Sequence, residues 1–507
     1  MTVCHRRFCF KEGYAVKLTL NTEKRHEVSP YLYMQFMEPL APSDGSVDAA
    51  WNYVLDDWHA EFIKKMKELS PPMIRFGGCF ASYYKWKEAV GPRNERIPML
   101  NLSWDGWFSN QVGTAELCDL CVRSNSEPLI VVNMECDGRK YWENPKPGVC
   151  RFADEKEAAE WVSYCNDPDN TLRKSHGREE PYNVKFWQIG NETSYKYDVR
   201  QWCPELEKPM IGGYGLEEAI DATRRFAKAM REASPSDIKL IAWGDSGWAS
   251  AMCEAASDEV EYIAFHHHFD SGLEKSPLNS VDYRKDPENT WKHLMNAYVS
   301  LEKKIGEMRA SVEPYGKRLA MTEGHFALRG RNRCEVLSSW GAGVAYARCL
   351  LTIERASDII DIATMADFFG TRWQVNTMMI QSPQFWGKPY LQPVGHVMQL
   401  FSHHTGKYAL DLSFVDFEGL DMTSFISEDG KKIYLHAVNT KTDKDIELDL
   451  DILGKEIISA KAYEICADPM TEITPISMRV FDVKEKEIQH GKYLLPAAAV
   501  SAIEIEI

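Results

Sequence analysis

From about residue 30 to residue 400, short apolar runs alternate with stretches of helical periodicity. Parallel strands joined by helices produce this rhythm, because each crossover needs a helix to return the chain to the same edge of the sheet. The apolar runs end on polar or charged residues, which is typical of the catalytic face of a (β/α)8 TIM barrel. We therefore predict such a barrel over residues 29–407. Its predicted strands are residues 32–37, 73–76, 128–133, 184–189, 239–243, 262–265, 319–322 and 362–366, and the eighth ends at Asp367.

The two ends of the chain have a different pattern. Residues 14–22 alternate apolar and polar side chains, as do several segments after residue 408. Within one of these segments, Asp429-Gly430 is a dipeptide typical of a tight hairpin turn. We predict an all-β sandwich over residues 408–507 that also takes in a strand from residues 1–28. Between the barrel strands we predict helices over residues 216–232 and 336–356, and long loops around residues 138–180 and 270–300.

Composition excludes several classes of partner. The formal net charge of −16 disfavours nucleic acids and anionic membranes, and it suits a neutral substrate. No apolar run is long enough to span a membrane, and the first residues lack the apolar core of a signal peptide, so we expect a cytoplasmic protein. Cys118 and Cys121 form a C-x-x-C pair within a helical pattern, where we expect small core residues rather than a redox or zinc site.

The run Phe186-Trp187-Gln188-Ile189-Gly190-Asn191-Glu192 ends a predicted buried strand on an amide and a carboxylate. Burial raises the pKa of a carboxyl group, so Glu192 could hold a proton and donate it. A Glu that caps the next helix would explain the same residues equally well. Glu323 ends the seventh predicted strand, and only a barrel-like fold would bring it beside Glu192. Glycoside hydrolysis requires two such carboxyl groups on either side of one glycosidic bond.

Three stretches then resemble a known family. Residues 74–80, with Trp86 and Gly91-Pro92-Arg93, resemble the second-strand signature of family 51 glycoside hydrolases. Residues 187–192 are similar to the Trp-Gly-Asn-Glu acid/base motif of that family. The family consists mainly of α-L-arabinofuranosidases, which are retaining enzymes with a barrel and a sandwich. The resemblance implies an exo-acting enzyme of arabinan degradation that takes oligosaccharides and needs no cofactor or metal. It also makes a homo-oligomer plausible.

The same resemblance implies roles for individual residues. Glu192 would be the general acid/base and Glu323 the nucleophile. Glu38, Arg75 and Asn191 would lie in the subsite that holds the terminal sugar. A structural ion pair between Glu38 and Arg75 is the alternative for those two residues, because Arg is seldom buried without a partner.

The chain departs from the family at several of these positions. Cys79 stands where Asn is usual, His268 where a Tyr would position the nucleophile, and Gly324-His325 where Trp-Asn is common. These departures leave open a galactofuranosidase, a xylosidase, an endo-β-glucanase or an inactive carbohydrate-binding protein. The eighth-strand Gln of the family has no clean match. The predicted sugar-contacting residues are Glu38, Arg75, Cys79, Asn191, His266, His268, Trp373 and Gln374.

Two aromatic groups have alternative explanations. In His266-His267-His268 the side chains alternate along a strand, so His266 and His268 share a face. A zinc site would need a third ligand such as Asp245 or Asp270, and we expect a hydrogen bond from His268 to a catalytic carboxylate instead. Trp104, Trp107 and Phe108 follow the second strand and would either stack on sugar or pack beneath their loop.

Overall fold

The structure is a computed structural model that describes residues 15–40, 44, 46–101, 103–104, 106–135, 151–194, 201–203, 208–210, 215–328, 333–382, 387–414 and 417–507. A curled sheet of eleven strands lies at its centre. All neighbouring pairs in this sheet are parallel except the last. In spatial order the strands are β15 Ile360–Ala363, β14 Arg318–Phe326, β13 Tyr262–Phe269, β12 Lys239–Trp243, β9 Phe186–Ile189, β8 Glu127–Val132, β5 Met73–Phe76, β2 Gln35–Met37, β16 Asp367–Gly370, β17 Asn376–Met379 and β18 Tyr390–Leu391.

Every predicted apolar run contributes to this sheet, but four runs differ clearly from the prediction. The first run begins with a 3₁₀ turn, Pro30–Tyr33, and only residues 35–37 are strand. Strands β13 and β14 continue past their apolar runs, so His266, His268 and Glu323 lie within strands. The eighth run is divided into β15 and β16, and Asp367 opens β16 instead of following a strand.

Helices cover the outer face of the sheet. The predicted helices at residues 216–232 and 336–356 are confirmed as α6 and α10, the second preceded by a 3₁₀ turn. The long loops predicted around residues 138–180 and 270–300 are wrong in part, because α4, α5, α8 and the start of α9 lie there, and apolar residues at helical spacing bury one face of α4 and of α9. Residues 138–150 of the first predicted loop lie outside the described residues. The helices are α1 Ser46–Ala50, α2 Ala60–Leu69, α3 Thr114–Ser124, α4 Glu155–Asn166, α5 Thr171–Ser175, α6 Leu216–Ala233, α7 Ala249–Ala256, α8 Pro287–Asn296, α9 Tyr298–Val312, α10 Trp340–Arg355 and α11 Pro393–His403.

Two further sheets pack face to face at the carboxyl end of the chain and bury a second apolar core between them. The hairpin predicted at Asp429-Gly430 is confirmed by the antiparallel pairing of β21 with β22. Strand β1 pairs in parallel with β23 and antiparallel with β20, and residue 14 of its predicted range lies outside the described residues. The sheets are β19 Tyr408–Ala409, β21 Leu420–Ile426, β22 Lys432–Asn439, β27 Ala499–Glu506, β24 Ser459–Cys466 and β25 Lys484–Glu487, and β20 Leu412–Phe414, β1 Ala15–Leu20, β23 Ile446–Ile452 and β26 Lys492–Leu495.

Three short two-stranded pairs complete the strands. The pair β6 and β7 is a hairpin that follows β5 in the chain, and it carries Trp107 and Phe108 on β7 instead of in a loop. Cys118 and Cys121 are both buried in α3, as predicted. None of the described helices combines the length and apolarity that crossing a membrane requires. The pairs are β3 Trp51–Asn52 with β4 Asp57–Trp58, β6 Met99–Leu100 with β7 Trp107–Phe108, and β10 Gln201–Cys203 with β11 Lys208–Met210.

A buried polar cluster joins α10 to the carboxyl-terminal sheets. Glu354 of α10 is 2% exposed and accepts hydrogen bonds from the hydroxyl groups of Tyr33 (2.7 Å) and Thr423 (2.5 Å). His436 of β22 places Nδ1 2.9 Å from the Glu354 carboxylate and Nε2 3.1 Å from the carbonyl oxygen of His404. Both ring nitrogens of His436 therefore face oxygen atoms, one on α10 and one just after α11.

Candidate active site

The structure brings together the two carboxylates that the sequence places far apart. Glu192 follows β9 and Glu323 lies within β14, and one carboxylate oxygen of each lies within 4.8 Å of the other. The side chain of Glu323 is 7% exposed and that of Glu192 is 13% exposed. Both lie toward the carboxyl ends of parallel strands, where the catalytic residues of such sheets are found.

The backbone at Glu192 has an unusual conformation. Its φ is +52°, in the left-handed region that non-glycine residues seldom adopt. Gly190 also has a positive φ, of +72°, and a Cβ there would lie 2.6 Å from Cγ2 of Thr193. Nδ1 of His266 lies 3.0 Å from Oε1 of Glu192 and holds the carboxylate in place. Such strain persists only where the surroundings fix it, and it is concentrated at functional sites.

Arg75 lies beneath the carboxylates and is fully buried. It donates from Nε to Oε1 of Gln188 (2.9 Å), from Nη1 to Oε1 of Glu323 (3.0 Å) and from Nη2 to Oδ1 of Asn191 (2.7 Å). Glu38, the partner considered from the sequence, accepts a hydrogen bond from Nε1 of Trp104 at 3.0 Å. The planar guanidinium therefore fixes three site residues relative to one another.

Charges around Glu323 determine its protonation. Burial alone would raise the pKa of this carboxyl group, but the imidazoles of His266 and His268 and the guanidinium of Arg75 outweigh burial and hold the pKa well below its usual range. In the reciprocal direction, burial alone would lower the pKa of His268, but hydrogen bonding to Glu323 and its negative charge raise it. Glu323 is thus an ionised carboxylate suited to nucleophilic attack.

The three consecutive histidines alternate as predicted. His266 and His268 face the carboxylates, and Nε2 of His268 lies 3.7 Å from Oε2 of Glu323. His267 points away, with Nε2 3.1 Å from Oγ of Ser300. Asp245, considered as a zinc ligand, instead accepts a hydrogen bond from the backbone N–H of His266 and pairs with Lys304. Asp270 is likewise outside the group of side chains that could hold a metal ion, which consists of Glu192, His266, His268 and Glu323.

A second wall of the site is aromatic. Gly78 has φ of +107°, and a Cβ there would lie 2.4 Å from Cδ of Glu38, so only glycine leaves room for that carboxylate. Trp104 contacts both Glu38 and Trp373, with the two indole rings 5.5 Å apart. Trp107 and Phe108, which were predicted either to stack on sugar or to pack beneath their loop, differ in exposure. Phe108 is buried, whereas Trp107 is 66% exposed.

Two of the predicted sugar-contacting residues, Cys79 and Gln374, remain to be placed. Cys79 is half-buried and opens a 3₁₀ turn after Gly78. Gln374 accepts a hydrogen bond from Nε2 of Gln392 at 2.5 Å.

Sequence reasoning missed the part played by Asp367, although it named this residue as the polar end of the eighth run. Asp367 is buried, and Nε2 of His325 lies 3.8 Å from its Oδ1, which has no hydrogen-bond partner among the described residues. Burial and the negative charges of Glu323 and Asp44 raise the pKa of Asp367 well above its usual range. Burial and the charge of His268 lower the pKa of His325 to about 3. The pair is therefore a neutral carboxyl group beside a neutral imidazole.

Known proteins share these features. A family model described as the alpha-L-arabinofuranosidase 1 domain matches residues 65–286. An intracellular exo-alpha-(1->5)-L-arabinofuranosidase of Acetivibrio thermocellus is 23% identical over 84% of this chain and 85% of its own length. An alpha-L-arabinofuranosidase C of Emericella nidulans is 31% identical, but the match covers 46% of this chain and only 43% of that protein. The crystal structure of an alpha-L-arabinofuranosidase from Thermotoga maritima superimposes with a TM-score of 0.73, at 22% identity, over 97% of this chain and all of that one.

The matched domain and the full-length relatives define the chain as a glycoside hydrolase. The resemblance seen in the sequence is confirmed, because the matched domain and the relatives that align over most of this chain are α-L-arabinofuranosidases.

Proposed function

We propose that this protein is a retaining exo-acting α-L-arabinofuranosidase that releases terminal arabinofuranosyl residues from arabino-oligosaccharides. The separation of Glu192 and Glu323 carries this proposal. Oxygens within 4.8 Å of one another match the spacing of about 5–5.5 Å in retaining glycosidases. The spacing of about 6.5–9.5 Å in inverting enzymes leaves room for a water molecule between the carboxyl groups, and this pair is too close for that.

Glu323 is the nucleophile in this mechanism. Its ionised carboxylate attacks the anomeric carbon and forms an ester, while the glycosidic bond breaks and Glu192 gives its proton to the leaving oxygen. Glu192 then accepts a proton from water, whose oxygen attacks the anomeric carbon and releases Glu323. Both steps proceed on carboxyl groups alone, and the mechanism calls for no cofactor.

The surrounding residues divide into sugar contacts and positioning residues. Asn191, Glu38 and the aromatic wall formed by Trp104 and Trp373 line the proposed subsite for the terminal sugar, and Cys79 leaves more space there than the usual Asn. Arg75 and His266 are positioning residues, since Arg75 is ion-paired to Glu323 and His266 is hydrogen-bonded to Glu192. Gln374 follows Trp373 in the chain, and its hydrogen bond from Gln392 helps to fix this segment.

We also propose that the curled sheet closes as a (β/α)8 barrel over residues 29–407, with a sandwich made from residues 1–28 and 408–507. The divided eighth strand supports closure, because β15 pairs with β14 while β16 pairs with β2 at Asp367 and Phe36. In addition, the N–H of Met34 donates to the carbonyl oxygen of Ala363 over 2.9 Å. The residue just before β2 is thus hydrogen-bonded to β15, which lies at the far end of the strand order, and this contact favours closure.

The activity is tested with a panel of 4-nitrophenyl glycosides and with Glu192→Gln and Glu323→Gln. We expect the α-L-arabinofuranoside to be hydrolysed fastest and each variant to lose at least about 10²-fold in kcat/KM. Glu464→Gln is the matched control, because Glu464 is a buried glutamate bound to Tyr493 within the carboxyl-terminal sheets. Full activity in either active-site variant would refute the assignment.

A related sugar specificity is the second candidate. Cys79, His268 and His325 stand at positions where this chain departs from the family pattern, and such departures support a different sugar specificity. A galactofuranosidase, a xylosidase or an endo-β-glucanase would each show its own preference in the same panel. An inactive sugar-binding protein would bind oligosaccharide without turnover.

The names of two relatives support a location, and the family resemblance in the sequence implies an assembly. The relatives from Acetivibrio thermocellus and Bacillus subtilis are named intracellular enzymes, and we propose a cytoplasmic location for this chain. We propose a homo-oligomer as well, and light scattering coupled to size-exclusion chromatography measures its mass directly.

A further inference from the structure

The two active-site carboxylates and the two inward-facing histidines form one compact group. A potential ligand atom from each of the four side chains lies within 4.8 Å of those of the other three. The members are Glu192, His266, His268 and Glu323. We propose that this group, called here the Glu2His2 cluster, binds Zn²⁺, and that bound zinc blocks hydrolysis.

The separations suit a tetrahedral ion. Bonds of 2.0–2.2 Å place tetrahedral zinc ligands about 3.3–3.5 Å apart. Nδ1 of His266 lies 3.0 Å from Oε1 of Glu192 and 3.6 Å from Oε2 of Glu323. Nε2 of His268 lies 3.7 Å from the same Oε2. Three of the ligand pairs are therefore already close to coordination distance, and side-chain rotation brings the wider pairs onto the ion.

The ligands are oriented from behind, as in established zinc sites. The second ring nitrogen of His266 lies 3.0 Å from the hydroxyl oxygen of Thr322, which leaves Nδ1 facing the cluster. Arg75 donates a hydrogen bond to Oε1 of Glu323, so the other oxygen, Oε2, remains directed at the two imidazoles. Partners of this kind fix ring orientation and strengthen metal binding.

The local charge also favours a cation. Two carboxylates belong to the cluster, and the carboxylate of Glu38 acts electrostatically on the same pocket. The guanidinium of Arg75 offsets part of this charge but is directed at the far oxygen of Glu323. When Zn²⁺ binds, it replaces the proton that these carboxylates favour on His268, and that proton is released to the solvent.

The donor set selects the ion by chemical class. Two imidazoles and two carboxylates suit Zn²⁺ or Cu²⁺, whereas Mg²⁺ requires six oxygen ligands in octahedral geometry. His268 is the decisive member, because it supplies the second nitrogen at a position where the family usually has a Tyr. A phenol in that place would leave only one imidazole.

Zinc in the cluster inhibits by occupying the reacting atoms. An oxygen of Glu323 bound to the ion cannot attack the sugar, and Glu192 bound to the ion cannot carry a proton. This inference concerns the ion alone, and its test by direct binding stands even if the sugar assignment fails.

The experiment measures zinc bound to the intact purified protein by equilibrium dialysis, together with the visible absorption of Co²⁺ in its place. We expect one zinc per chain, an intense four-coordinate Co²⁺ spectrum, and no comparable effect of Mg²⁺. His268→Gln should weaken zinc binding by about tenfold or more and remove the four-coordinate spectrum. Where turnover can be measured, zinc inhibition of the wild-type protein should follow the same binding constant.

His267→Gln is the matched control, because His267 is adjacent in the chain but faces Ser300. This variant should keep wild-type zinc affinity. Glu192→Gln provides a second test that does not depend on the folding of the histidine variant, and it too should weaken binding. Unchanged zinc affinity in both His268→Gln and Glu192→Gln, or equal loss in His267→Gln, would place the ion elsewhere and overturn the proposal.

Discussion

Nη1 of Arg75 donates to Oε1 of Glu323 over 3.0 Å, between two side chains that are 0% and 7% exposed. Arg75 comes from β5 and Glu323 from β14, which are separated by several strands of the same sheet. The contact therefore depends on the curl of the sheet. It couples the folding of the sheet to the charge state of the proposed nucleophile.

Replacement of Arg75 by Met tests this coupling. Removing one partner of a buried ion pair leaves the other charge unpaired, and we expect the free energy of unfolding to fall by about 3–5 kcal/mol. Activity should fall as well, because Asn191 and Glu323 lose their shared donor. Arg75→Lys should lower both the free energy of unfolding and the activity as well, since an ammonium group cannot make the three directed hydrogen bonds of the guanidinium. Denaturant unfolding and kcat/KM measure the two effects.

Arg173 supplies the control for the arginine variants. It is equally buried but donates to the backbone carbonyl oxygens of Tyr164, Asp167, Pro168 and Glu179. Arg173→Met should lower stability and leave kcat/KM of the folded fraction unchanged. Equal effects of the two substitutions on kcat/KM would contradict the role given to Arg75.

His268→Gln should change the pH dependence of hydrolysis. The positive charge of His268 helps to hold the pKa of Glu323 below its usual range, so its removal raises that pKa. The acid limb of the kcat/KM profile reports the free enzyme and should therefore move to higher pH. His267→Gln should leave the acid limb in place. An unshifted limb in a folded His268→Gln protein would show that His268 does not act on the nucleophile.

Asp367→Asn should stabilise the protein in a pH-dependent way. The pKa of Asp367 is raised in the folded state, so the folded protein keeps this proton after the unfolded chain loses it near pH 4. The stability contributed by the protonated group is complete below that pH and is lost as the pH rises toward the folded pKa. An Asn side chain does not ionise, so the variant does not lose stability in this way. The Tm of Asp367→Asn should therefore exceed the Tm of the wild-type protein by an amount that grows between pH 4 and pH 7. A Tm difference that does not vary with pH would contradict the buried neutral carboxyl group.

Gly78→Ala should weaken sugar binding more than folding. The added Cβ would lie 2.4 Å from Cδ of Glu38 and must displace that carboxylate. We expect a KM at least about tenfold higher, equivalent to about 1.4 kcal/mol. Gly177→Ala is matched in backbone conformation, with φ of +84°, but its Cβ meets nothing within 4 Å. It should cost roughly 1–3 kcal/mol of stability through backbone strain alone and leave KM unchanged.

The position of the site was predictable from the sequence because parallel strand ends share one edge of a sheet. Glu192, Glu323 and Asp367 all follow or end apolar runs, and this simple signal locates each of them. The contact between His266 and Glu192 was not predictable, because a register shift between Phe265 and His266 changes how β13 meets β14. The strands also continue to residues 269 and 326 despite their polar side chains, since neighbouring strands still satisfy the backbone hydrogen bonds.

Other errors came from segments whose polar residues obscure helical spacing. In α4, Trp161 and Cys165 bury one face while charged residues cover the other, so composition alone indicated a loop. Trp373 and Gln374 are the residues that lie nearest in the chain to the expected position of the family's eighth-strand Gln. Their relation to Trp104 and Gln392 depends on the turn after β16, where Asp44 accepts hydrogen bonds from three successive backbone N–H groups.

The central claim is that Glu323 forms a covalent bond with the sugar. An activated 2-fluoro arabinofuranoside slows hydrolysis of the glycosyl-enzyme more than its formation, so the intermediate accumulates. Mass spectrometry of the digested protein should show one added fluorosugar, carried by the peptide that contains Glu323. Release of arabinose with inverted configuration, or an adduct on any other residue, would contradict the account.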